Sequence, residues 1–236
     1  MAEMIGLSKN VLLDWMDLAA SCRANNTPKD QTKQILNEKI GETIQSATNI
    51  RKIRTILFNV WYPEEDWFIG QCIDAVKYLS KAERIPIHWA VFTRYYQVFY
   101  DLSTVIGGLF AFRDEITLQQ IRNRIFEKWG ARNSLEEGLP KNMQMYGELQ
   151  AVVKTEKPAT YVRNVQQVSN VQCVQLLSAS ILERSEKSYM TWESIMMHPA
   201  LFPFQIENVT QADMASCNYL TLERMGDEVV IRVKGN

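Results

Sequence analysis

The chain is expected to be mainly α: an N-terminal helical bundle, then a winged helix-turn-helix-like unit, then a C-terminal β-hairpin. Three observations set that expectation. Apolar residues recur at helical spacing in nearly every segment before Val152. The stretch Thr117 to Gln167 reads as a helix, a tight turn, a second helix and a hairpin. The tail from Leu220 to Lys234 alternates and turns at Gly226-Asp227, as two paired strands do.

The elements follow in order. Asn10 is placed to cap a short helix carrying Val11, Leu12, Trp15 and Leu18. Thr27-Pro28 starts a second, with Ile35, Leu36, Ile40 and Ile44 inward. Asn49 opens a third on Ile50, Ile53, Ile56, Leu57 and Val60, with Arg51, Lys52 and Arg54 on its polar side, and Pro63 stops it. Glu64 to Ser80 is a fourth, built on Trp67, Ile69, Cys72, Ile73, Val76 and Leu79. Pro86 starts a long aromatic helix running to about Phe112, which Gly107-Gly108 either bends or lets pack closely. A boundary near Arg113 divides the chain into a bundle, 1–112, and a winged-helix-like region with C-terminal helices and hairpin, 113–236.

In the second region Thr117 caps a helix whose stripe is Leu118, Ile121, Ile125 and Trp129, with Trp129 expected buried between the two helices of the motif. Gly130 ends that helix, and Ser134 is a second candidate cap. Pro140 suits the first turn of the next helix, whose inner face is Met143, Tyr146, Leu149 and Val152. Ala151 to Thr155 and Ala159 to Val165 read as strands joined by Glu156-Lys157-Pro158. Beyond them lie a helix from Asn170 to Glu183 and a short one capped by Thr191. In the connector ALFPF, prolines flanking Leu201-Phe202 argue against regular structure.

Composition narrows the function classes. A net charge of -1 gives no whole-chain attraction to nucleic acid or anionic membrane, so any such surface must be local. Cys22, Cys72, Cys173 and Cys217 include no CxxC pair and read as reduced, mostly buried thiols. The N-terminus lacks the order of a signal peptide, and the most apolar run, Val98 to Phe112, contains Asp101 and is too short for a bilayer. A soluble cytoplasmic protein is expected, with no membrane partner.

Catalytic motifs are missing. His88 and His198 have no ligand partners at metal spacing, and neither GxGxxG nor GxxxxGK[ST] occurs. Ser103, Ser134 and Ser180 lack a GxSxG setting. Glu64, Glu65 and Asp66 follow Pro63 at a helix start, where negative charge offsets the helix dipole. No cofactor is expected.

Local charge points to nucleic acid. From Leu118 to Arg163 there are eight cations and five carboxylates. Lys141, Asn142 and Gln144 sit where a recognition helix would offer polar side chains to base edges. Arg132 and Asn133 lie in the turn, and Lys154, Lys157 and Arg163 on the wing, where cations meet phosphates. The opposing reading is a winged fold used only for protein contacts, with its last strand adding to another sheet edge.

This layout, with the terminal segment "HPALFPF…LERMGDEVVIRVK", resembles the small BrxA component of BREX phage-exclusion systems. Thr117 to Leu149 and His198 to Lys234 carry most of the resemblance. It implies a non-enzymatic, double-stranded DNA-binding accessory protein of phage defence, working beside larger subunits. It transfers no individual residue, so the site residues rest on the helix-turn-helix reading alone.

Overall fold

Several helices begin where a side chain or a distant group satisfies one of their first free N–H groups. The computed structural model describes residues 7–64, 66–185 and 187–234, so Glu65 of the acidic triplet lies outside it. The first half holds α1 (Leu13–Ala24), α2 (Lys29–Gly41), α3 (Ala47–Trp61), α4 (Trp67–Tyr78), α5 (Ile85–Tyr95) and α6 (Gln97–Phe110). Asn10 does not cap α1; its Leu13 N–H instead donates to the Glu148 carboxylate at 3.2 Å, from 135 residues along the chain. Ser46, rather than Asn49, caps α3 by accepting the Asn49 N–H. Asp66 caps α4 through Ile69 N–H at 2.9 Å and also holds Arg94 at 2.9 Å.

The single aromatic helix expected after Pro86 is two. Tyr96 adopts an extended conformation between α5 and α6 (φ -125, ψ 104). Its ring is buried and stacks on Phe92, and its hydroxyl accepts from Asn59 at 3.1 Å. Those tertiary partners outweigh helix continuity. The Gly107-Gly108 pair does not interrupt α6. A Cβ on Gly107 would lie 1.9 Å from the Pro199 carbonyl oxygen, whereas one on Gly108 would meet nothing within 4 Å. Only Gly107 is needed for close approach.

The middle of the chain runs β1 (Glu115–Thr117), α7 (Leu118–Trp129), α8 (Asn133–Glu148), β2 (Val152–Lys154) and β3 (Thr160–Arg163). Thr117 and Gln120 form a reciprocal capping box at the start of α7. Gly130, at φ 72 and ψ 163, ends it. The next helix starts at Asn133, not Pro140, and Ser134 falls inside its first turn. Pro140 lies on the exposed side of α8, seven residues into the helix. The strands form an antiparallel sheet in the order β1-β3-β2.

The last third contains β4 (Gln166–Val168), α9 (Val171–Arg184), β5 (Met190–Thr191), α10 (Trp192–Met196), β6 (Phe204–Ile206), α11 (Gln211–Ala215), β7 (Leu220–Met225) and β8 (Glu228–Val233). Asn170 and Thr191 cap α9 and α10 with their side chains. The hairpin β7–β8 turns at Gly226, whose φ of 63 suits glycine. The ALFPF segment is regular after all. Pro199–Leu201 is a 3-10 turn, and β6 pairs in parallel with β4. The last strand, β8, is not an open edge: it lies between β5 and β7.

One apolar core extends from Leu7 to Val233. At its centre the Trp89 ring meets Phe99, Tyr146, Phe202 and Phe204, with centroids 5.0 to 5.5 Å away, and its N–H donates to the Ala200 carbonyl at 3.0 Å. Residues from α5, α6, α8 and the ALFPF segment therefore share one aromatic cluster. Among the described residues, no helix is long and apolar enough to cross a membrane.

Candidate nucleic-acid interface

The position of the helix pair is set by a buried carboxylate. Asp101 on α6 is 1% exposed and accepts hydrogen bonds from Lys128 at 2.5 Å, Trp129 at 2.8 Å and Gln97 at 3.1 Å. Lys128 and Trp129 end α7, so Asp101 fixes the turn that leads into α8. Its cost of burial is offset by three donors, one of them charged. Trp129 is consequently half-buried against α6, rather than enclosed between α7 and α8 as its stripe implied.

The outer face of α8 carries Asn133, Glu137, Pro140 and Gln144, all exposed and at helical spacing. Arg132 is exposed at the helix start, its guanidinium 5.9 Å from the Trp129 ring centroid. Lys141, next in sequence to Pro140, is half-buried. Asn142 is the clear correction. It is 1% exposed, and its amide donates to the Leu7 carbonyl at 3.2 Å and the Gly138 carbonyl at 2.9 Å. The segment before α1 lies across it, so it is a core amide and cannot reach a base edge.

The β2–β3 hairpin holds the other three residues. Lys154 and Lys157 share its tip, and Arg163 stands at its base, opposite Val152. All three are exposed, but Lys157 is bound to Glu115 of β1 at 2.6 Å. By strand alternation Lys154 and Arg163 lie on the sheet face of Val152 and Tyr161. The opposite face shows Val153 and Val162 instead.

Ion pairing thins the charge counted in sequence. Arg122 pairs with Glu136, Arg124 with Glu127, Lys128 with Asp101 and Lys157 with Glu115. Glu148 is taken up at the start of α1. Among the described residues, Arg132, Lys141, Lys154 and Arg163 keep no ion pair, against Glu137 and Glu156. The surface stays positive, with fewer cations than the sequence suggested.

The remaining reactive groups are quenched by burial. It pushes the Cys173 thiol up to about 12 and raises Cys22 and Cys72 as well. Burial holds His198 down at about 4, where its Nδ1 accepts from the Ala200 N–H and its Nε2 meets the Tyr100 hydroxyl at 3.3 Å. His88, fully buried, bonds Asp17 at 3.0 Å. Among the described residues, no group of three His, Cys, Asp or Glu could hold a metal ion. No family model, curated protein or solved structure matches this chain.

Proposed function

We propose that residues 115–163 form a winged helix-turn-helix and that the protein binds double-stranded DNA through it, as a non-enzymatic accessory component of a phage-defence system. The connectivity carries this reading. β1 precedes the helix pair, yet joins the hairpin that follows it, giving the order β1-β3-β2. A helix-turn-helix followed by an unrelated hairpin would leave β1 elsewhere. In this arrangement α8 is the helix that enters the major groove. Gln144 and Asn133 face outward to meet base edges, and Arg132, Lys141, Lys154 and Arg163 supply phosphate contacts. The defence context comes from the resemblance to the BREX component.

The salt dependence of duplex binding tests it. Each neutralised phosphate contributes a slope of about 0.9 in log affinity against log salt. Lys154→Ala, Lys157→Ala and Arg163→Ala together should flatten that slope, by less at Lys157, which must first release Glu115. Gln144→Ala should leave the slope alone and alter sequence preference. Wild-type protein without salt-dependent duplex binding, or a hairpin variant that binds as wild type does, sinks the assignment.

One observation favours protein docking as a second reading. Phe112 is 89% exposed beside an open groove between α6 and α7, lined by Val105, Gly108 and Leu109 together with Arg113, Arg124, Glu127 and Lys128. A large exposed aromatic side chain is a feature of protein docking surfaces rather than of phosphate contacts. If it is the main interface, duplex binding is weak even at low salt.

A further inference from the structure

The strand expected to offer an edge, β8, has both sides taken, but β6 pairs with β4 alone. In this parallel pair the Gln166 N–H donates to the Pro203 carbonyl at 2.7 Å, and the Glu207 N–H donates to the Val168 carbonyl at 3.0 Å. Backbone groups alternate in direction along a strand. Pro203 and Glu207 therefore face β4 together with Gln205, whereas Phe204 and Ile206 turn their N–H and C=O groups away from it. Among the described residues those four groups have no hydrogen-bond partner.

A cavity of about 380 Å³ lies along that free edge. All three residues of β6 line it, and among the described residues none of β4 does. Consecutive side chains of a strand point to opposite faces, so a cavity that touches three in a row, and not the neighbouring strand, runs beside the far edge rather than over one face. Its other walls are Trp192 and Met196 of α10, Val209, and Arg163 at the base of the hairpin. Trp192, Met196, Ile206 and Val209 are half-buried against the core, so each keeps part of its apolar surface on the groove side. Arg163 is exposed and, among the described residues, has no ion pair.

These features select one kind of occupant. Unpaired N–H and C=O groups in strand geometry match another extended backbone. A helix, whose own backbone bonds are closed, has nothing to give them. The apolar walls take alternate side chains of an added strand, and Arg163 takes a carboxylate. At three residues β6 is too short to recruit a sheet by backbone bonds alone, so the side-chain groove sets which segments bind.

We propose that the free edge of β6 and the groove beside it form a docking site for an extended segment of a partner protein. That segment carries apolar side chains at alternate positions and a carboxylate, and it adds to β4–β6 as a third strand. The site requires no DNA binding. Arg163 is common to this groove and to the hairpin surface, so it is left unchanged in the test.

A displayed library of short random peptides is selected on the full chain, and the enriched peptides are titrated by fluorescence anisotropy. Their sequences should alternate apolar and polar residues and include Asp or Glu. Ile206→Pro removes one outward N–H and no bond to β4, at an edge position where proline is tolerated. It should weaken peptide binding roughly tenfold, through one lost hydrogen bond. Met196→Glu puts a negative charge in the groove without touching the edge and should weaken binding as well, whereas Lys154→Ala should bind as wild type does. In amide exchange the Phe204 and Ile206 N–H groups should be less protected than that of Glu207 in the free protein, and become protected by the peptide. If Ile206→Pro does not fold, Met196→Glu and the exchange measurement decide. The docking site is overturned if the library yields no binder, if enriched peptides bind the altered chains as tightly as wild type, or if the two amides stay unprotected in the complex. Duplex DNA that displaces the peptide and protects the same two amides overturns it too, since the edge then belongs to nucleic acid.

Discussion

Gly107 and Gly108 are neighbours in one helix whose substitution by alanine should have opposite effects. Alanine in a helix interior is favoured over glycine by roughly 0.5–1 kcal/mol, and both positions gain that. At Gly108 nothing lies within 4 Å of the new methyl, so the gain stands. At Gly107 the methyl would sit 1.9 Å from the Pro199 carbonyl oxygen and 2.9 Å from Phe202 Cβ. Ordinary contacts between heavy atoms are about 3.5–4.0 Å. Overpacking costs about 1–3 kcal/mol, occasionally more, and here the obstacle is backbone that cannot swing aside. A gross cost of about 3 kcal/mol, less about 1 from helix propensity, leaves a net loss near 2 kcal/mol. At about 2–4 °C per kcal/mol for a chain of this size, Gly107→Ala should melt roughly 4–8 °C lower and Gly108→Ala slightly higher. Thermal and urea unfolding of the two variants measure it. If Gly107→Ala is as stable as Gly108→Ala, the 199–202 turn is not seated on α6 as described.

Two further outcomes are expected. Trp129→Phe removes one donor from buried Asp101 but leaves Lys128 and Gln97, so it should cost about 1–2 kcal/mol in urea unfolding; a loss of about 3–5 kcal/mol would instead be that of a fully buried tryptophan. His198 has a folded-state pKa of about 4 against 6.5, so its neutral form is favoured by folding, and that stability is present above pH 6.5 and lost as pH falls toward 4. His198→Asn keeps an acceptor for the Ala200 N–H and should lose less stability across that window; parallel curves for variant and wild type would refute the assignment.

What was legible in the sequence was local. The Thr117 and Thr191 caps, the helix that starts at Asn170 and the Gly226 turn need only residues a few positions apart, and each stands within a residue of where the sequence put it. Interactions across the chain were not legible. β1, β4 and β6 are three residues each, too short to show alternation, and pair with partners 38 to 47 positions away. The break at Tyr96 depends on Asn59 and Phe92, and the start of α1 on Glu148. Asn142 looked like a surface amide because Leu7, which buries it, is 135 residues away. Asp101 was visible as a lone carboxylate in an apolar run, but its partners on α7 were not. The site residues fared similarly. Exposure at Arg132, Asn133, Gln144, Lys154 and Arg163 followed from the pattern, whereas the Lys157–Glu115 pair did not.

These long-range ties bear on how α8 can work. Its Asn142 holds the segment before α1, its Glu148 caps α1, and its Tyr146 hydroxyl donates to the Phe99 carbonyl at 2.9 Å on α6. Packing and hydrogen bonds thus fasten both the middle and the C-terminal end of the helix to the bundle. A helix so fastened cannot approach a duplex separately from the bundle; α1, α3 and the preceding segment must come with it. Whatever surface α8 presents its outer face to must therefore accommodate the bundle as well, because the helix brings α1, α6 and the segment before α1 with it.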